Sequence, residues 1–98
     1  MLRLAVAMVL LAALSACQTA PPVQEMSDAR QAIAVARNAG AAEHAPAELG
    51  EAERYLEQAE SHLSIRSYSM ARRDAVQAKS KALEALALSE HPDLNRPR

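Results

Sequence analysis

The chain has no tryptophan, no phenylalanine and two tyrosines, Tyr55 and Tyr68. Alanine supplies much of its apolar content. Since burial is worth roughly 25 cal/mol per Å² of apolar surface, any core here is thin. Gly40 and Gly50 are the only glycines, so there is no glycine-rich loop to cradle a phosphate. A single cysteine, Cys17, excludes an intramolecular disulfide, a staple that domains this small often use. Charge of one sign is also missing, because the formal net charge is -1. A nucleic-acid binder needs a clearly basic domain and aromatic platforms for stacking, and the chain offers neither. No two of His44, His62 and His91 have the i, i+4 spacing of a helical metal site. Ser61, Ser64, Ser67 and Ser69 cluster, yet no Gly-x-Ser-x-Gly elbow frames any of them. The histidines are read as surface residues and the serines as turn and capping residues. No cofactor, metal ligand or catalytic residue is expected, and the protein is not expected to be an enzyme.

What is present begins with the leader. Met1-Leu2-Arg3 is a short positive start, and "LAVAMVLLAAL" at 4–14 is uniformly apolar. That run is shorter than the roughly 20 residues needed to span a bilayer. It has the length of a signal-peptide core. Leu14-Ser15-Ala16-Cys17 follows and resembles a bacterial lipobox: leucine, two small residues, then the cysteine whose thiol carries diacylglycerol. The resemblance implies cleavage between Ala16 and Cys17, acylation of Cys17 and attachment to the membrane by two or more chains. Residue 18 is Gln and not Asp, which by likeness to Gram-negative lipoproteins favours the outer membrane. The expected organisation is a signal peptide at 1–16, a lipidated cysteine with tether at 17–27, a helical domain at 23–90 and a flexible tail at 91–98. Pro21-Pro22 favours an extended tether.

The helical domain shows three periodic stretches. Met26, Ala29, Ile33, Ala36 and Gly40 recur at three and four, predicting a first helix over about 23–40. Gly40 stands where a helix end wants a left-handed residue. "AAEHAP" reads as a loop, with Pro46 in the first turn of the next helix. Leu49, Ala52, Leu56, Ala59 and Leu63 form the seam of a second helix, 46–64. Ala71, Ala75, Ala78, Ala82 and Ala85 form that of a third, 67–89, with Ser67 at its N-cap. An alanine seam lets two axes approach closely, so the third helix is expected to pack on the second. "SIRSY" at the junction has neither Gly nor Pro, which leaves one continuous helix over 46–90 as the alternative. Charge favours the hairpin: Glu48, Glu51, Glu53, Glu57 and Glu60 would face Arg66, Arg72, Arg73, Lys79 and Lys81. The fold class is all-α: an alanine-rich antiparallel helical hairpin or three-helix bundle.

The residues "ARQAIAVARNAGAAEHAPAEL", then Ala52, Leu56 and Ala59, then Tyr68, Ala71, Ala75, Ala78 and Ala82 carry a likeness. This pattern, behind a lipobox, resembles the small helical bacterial lipoproteins grouped as domain of unknown function 4398, over about residues 23–88. The second half also resembles a single tetratricopeptide-like hairpin, with Ile65-Arg66-Ser67 where a glycine is usual before the tyrosine. The resemblance implies an envelope lipoprotein with a helical, protein-binding domain and assigns no activity.

On the third helix Val76 and Leu83 lie well round from the alanine seam. The first helix is expected to cover them through Met26 and Ile33. Left uncovered, they would form an apolar strip of the kind that marks a binding face. With Arg72 and Lys79 they make the candidate partner surface. The basic stretch is read as a solvated face paired with the second helix, or else as a contact for anionic polymer or lipid head groups. Expected partners are the membrane, through Cys17, and another envelope protein or a second copy of the chain. A small carrier of ligand or metal is the alternative.

Overall fold

The computed structural model describes residues 1–9, 20–91 and 93. The expected cleavage and lipidation residues, Ala16 and Cys17, lie outside the described residues, as does most of the expected tail. Residues 2–9 are helical, and no helix among the described residues is long and apolar enough to cross a membrane. Four further helices follow: α1 (Val23–Asn38), α2 (Ala41–His44), α3 (Pro46–Ser64) and α4 (Tyr68–Glu90). The described residues contain no strand, so the protein is all-α.

α1 starts directly after Pro21-Pro22, and Pro22 is itself buried. The Met26 amide donates to the Pro22 carbonyl at 3.0 Å. Glu25 in the first turn and Arg37 in the last both suit the helix dipole. The tether expected to run to residue 27 therefore ends earlier, because the chain is packed against the bundle from Pro22 and helical from Val23. At the other end Gly40 takes the left-handed conformation, φ 90°, as its position predicts. The expected loop after it needs correction. Residues 41–44 form the single turn α2, whose Glu43 and His44 amides both donate to the Gly40 carbonyl at 3.0 Å. Pro46 occupies the start of α3, where its missing N–H costs nothing.

The junction between α3 and α4 is a sharp turn, so the continuous-helix alternative fails. Arg66 takes φ 62°, the left-handed region in which glycine is usual. Its amide donates to the Leu63 carbonyl at 3.0 Å, and the Ser67 amide donates to the His62 carbonyl at 2.8 Å. Those two bonds are the pair that closes a Schellman ending. Ser67 sits at the α4 N-cap position, but its side chain makes no capping bond. The turn is thus held by backbone bonds at the end of α3 and not by a cap on α4. At the far end α4 stops at Glu90, with His91 at the non-helical φ -126°, ψ 71°. A following proline favours such extended geometry.

The three long helices pack by the seams their sequences carry. Ala71, Ala75, Ala78, Ala82 and Ala85 are all completely buried. Ala82 and Ala85 cluster with Ala52 of α3 and with Ile33 and Ala36 of α1, and Ala75 clusters with Ala59 of α3 and Met26 of α1. Leu56 and Leu63 are partly buried against the same core. Ion pairs give the helix directions. Glu25 faces Arg72 (3.2 Å) and Asp28 faces Lys79 (3.9 Å), so α1 and α4 run parallel. Arg30 faces Glu60 (3.5 Å) and Arg37 faces Glu53, so α1 and α3 are antiparallel. Glu51 faces Lys81 (3.2 Å) and His62 faces Asp74 (2.5 Å), so α3 and α4 are antiparallel. The result is a three-helix bundle that is up, down and up again. Each exposed pair contributes at most about 1 kcal/mol. Their consistent pattern marks the register of three interfaces.

This layout corrects the expected charge pairing. Arg72 and Lys79 turn to α1, not to the acidic face of α3. Among the described residues Arg66 and Arg73 make no ion pair. Only Lys81 bridges to an α3 glutamate, and it also meets Glu84 at 3.3 Å. Hydrogen bonds to Glu51 and then Glu84, with their charges, raise the Lys81 pKa above the ordinary 10.5. A raised lysine pKa stabilises the fold at pH values below 10.5, and that contribution is lost only as pH climbs through the folded-state value.

Candidate interaction surfaces

Arg72, Val76, Lys79 and Leu83 are spaced four, three and four apart, which places them on one stripe of α4. The stripe lies about 100° around the helix from the alanine seam, at 100° per residue. Arg72 and Lys79 are held by their carboxylate partners on α1. Arg72 also donates through Nη2 to the Ala20 carbonyl at 3.0 Å. Val76 and Leu83 remain 52% and 47% exposed. The expectation that α1 covers them is therefore overturned. Met26 and Ile33, the residues assigned to that task, point inward instead: Met26 packs with Ala59 and Ala75, and Ile33 with the alanines of the second core cluster. α1 lies over the seam side of α4 and reaches the stripe only with its acidic residues. Along the stripe two braced cations alternate with two exposed apolar side chains.

A groove of about 390 Å³ runs between α1 and α3. Ile33 and Leu56 line it with apolar surface, and Arg30, Arg37, Glu53, Glu57 and Glu60 line it with charge. Two Arg–Glu pairs cross it, Arg30–Glu60 and Arg37–Glu53, and Glu57 adds one further acid to its lining.

One pairing was not legible residue by residue. His62, expected at the surface, is half-buried between α3 and α4, and its Nδ1 lies 2.5 Å from the buried Asp74 carboxylate. Desolvating a carboxylate without a partner is costly, so His62 supplies the hydrogen bond that makes this burial tolerable. The signal was the turn position. Folding the chain at residues 65–67 brings position 62 opposite the second turn of α4, and Asp74 is the acid available there. The described residues contain no cluster of three or more His, Cys, Asp or Glu side chains arranged to hold a metal. The Ser64 hydroxyl donates to the Ser61 carbonyl at 2.7 Å, a helix-end role.

These features define a class: a small alanine-seamed bundle in which an antiparallel hairpin is braced by a third helix. The family-model comparison is more specific. Residues 24–93 match the model of the domain of unknown function DUF4398, and the chain belongs to that family. No curated protein and no solved structure gives a significant match.

Proposed function

We propose that the protein is an outer-membrane-anchored periplasmic lipoprotein that acts by binding and not by catalysis. In this reading lipid on Cys17 holds it to the membrane, and its helical domain is a structural or adaptor module for another envelope protein. The lipobox at Leu14–Cys17 supports the anchor. The observation that supports the adaptor role is the α4 stripe. Val76 and Leu83 stay half exposed while every alanine of the neighbouring seam is fully buried. Apolar side chains fixed on a braced helix form a preorganised contact, which lowers the ordering cost of association. Arg72 and Lys79, which alternate with them and are already paired, would set orientation more than affinity.

The test is photo-crosslinking in intact cells from a reactive residue placed at Leu83. The expected result is one envelope protein as the dominant adduct. A dimer of the chain itself would replace the adaptor with a self-assembling structural protein. The absence of any adduct would remove the stripe as a binding face.

The carrier reading has one observation in its favour, the groove between α1 and α3. Its size falls within the range of small-molecule sites. A ligand bound there would raise the melting temperature in a concentration-dependent way.

A further inference from the structure

The reading of Cys17 as the lipid anchor has a geometric consequence, and the inference here rests on that reading. The chain becomes fixed to the bundle very soon after Cys17. Ala20, three residues on, is held by the hydrogen bond from Arg72, and Pro22 is buried. Three residues of fully extended chain reach about 10 Å. An acylated Cys17 therefore keeps Ala20 within about 10 Å of the membrane interface. Ala20 lies at one end of the bundle, where α1 begins, α3 ends and α4 begins. That end is the one carried against the bilayer.

Its composition suits that place. Val23 and Ile65 are 71% and 70% exposed, and Met70 is 41% exposed. α1 and α4 both start here, and Cβ bonds tilt toward a helix N-terminus. The side chains of Val23 and Met70 thus lean toward this end, and Ile65 sits in the turn that forms it. Arg66 and Arg73 are exposed at the same end and make no ion pair among the described residues. Of the acids in this half of the bundle, Glu25 and Asp28 are engaged by Arg72 and Lys79, Glu60 by Arg30 and Asp74 by His62, and Glu57 lies two turns back along α3. The opposite end carries Glu43 and Glu48 at the starts of α2 and α3, and Glu90 at the end of α4. The bundle is polarised along its length: the anchor end presents apolar side chains together with Arg66 and Arg73, and the far end presents acids.

We propose that this end is a second membrane contact: Ile65, Val23 and Met70 enter the bilayer interface, and Arg66 and Arg73 meet lipid phosphates. Two or more acyl chains on Cys17 already hold the protein stably, and apolar and basic side chains at the surface add to that attachment through buried area and attraction to anionic lipid. The contact also fixes posture. The helices stand away from the membrane, and the α4 stripe at Val76 and Leu83 faces sideways along the surface.

The test uses the mature, acylated protein, purified from cells that express the whole chain, in vesicles of phosphatidylethanolamine and phosphatidylglycerol that contain brominated lipid. The chain has no tryptophan, so Ile65→Trp and, separately, Val35→Trp each introduce one reporter at an exposed site. Mass spectrometry of the purified protein and vesicle flotation are read alongside. Bromines quench a fluorophore lying at interfacial depth, so emission from the position-65 reporter should fall by about half while that from position 35 is unchanged. Adding Arg66→Glu and Arg73→Glu should relieve the quenching while the acylated protein still floats. Acylated protein that floats with no quenching at position 65, or with equal quenching at both positions, overturns the docked end and leaves the anchor standing. Protein from the expressing cells that carries no lipid and does not float overturns the anchor, and this proposal with it.

Discussion

Arg66 holds a conformation that costs a residue with a Cβ roughly 1–2 kcal/mol. It does so because the Schellman bonds of Leu63 and His62 close only when the residue after the last helical turn goes left-handed. Arg66→Gly should therefore raise stability by about 1 kcal/mol, read from a denaturant melt at unchanged slope, less whatever glycine gains in unfolded-state entropy. A destabilised variant would mean that the arginine side chain contributes more to the fold than its exposure suggests. Gly40 is the mirror case. It has φ 90°, and a Cβ placed there would approach the His44 ring at 3.2 Å. Gly40→Ala should lose about 1 kcal/mol or more in the same experiment. The two turns do the same job, one with the residue physics prefers and one without it.

At the level of elements, the helices were largely legible. Periodicity placed the first helix at 23–40, the second at 46–64 and the third at 67–89, against the observed Val23–Asn38, Pro46–Ser64 and Tyr68–Glu90. The seams were legible too, because an alanine at every third or fourth position can only be a contact face in a chain with so little other core. Ala78→Leu should cost about 1–3 kcal/mol by forcing α3 and α4 apart, measured as a lower melting temperature. An unchanged melt would mean the seam has slack. The lateral packing of α1 was not legible. Its apolar stripe could have covered Val76 and Leu83 or the flank of the alanine seam. The arrangement that forms buries Met26, Ala29, Ile33 and Ala36 almost completely, and the Glu25–Arg72 and Asp28–Lys79 pairs mark its register. Pairing by charge alone misled as well, since α3 has acids in excess and α1 supplies the carboxylates that lie nearer to Arg72 and Lys79. The short turn α2 carried no periodic signal, because four residues are too few to show one.

At the level of the whole molecule, the candidate binding face of Arg72, Val76, Lys79 and Leu83 was legible as a stripe in the sequence, but its exposure followed only from the assembled bundle, as what three packed helices leave uncovered. The proposed anchor, by contrast, rests on the sequence alone. Cys17→Ala should leave the chain unprocessed or release it from the membrane fraction, read by fractionation and by mass of the mature protein. A variant that is processed and still fractionates with the outer membrane would show that lipid is not what holds it.

The parallel course of α1 and α4 has one more consequence. With an odd number of long helices, the chain enters the bundle at one end and leaves α4 at the other. A helix the length of α4, Tyr68–Glu90, spans about 35 Å at 1.5 Å per residue. Anything joined after Glu90, whether a fluorescent reporter, an affinity handle or a second domain, is displayed a full helix length from the entry point. It could be appended without disturbing whatever happens there.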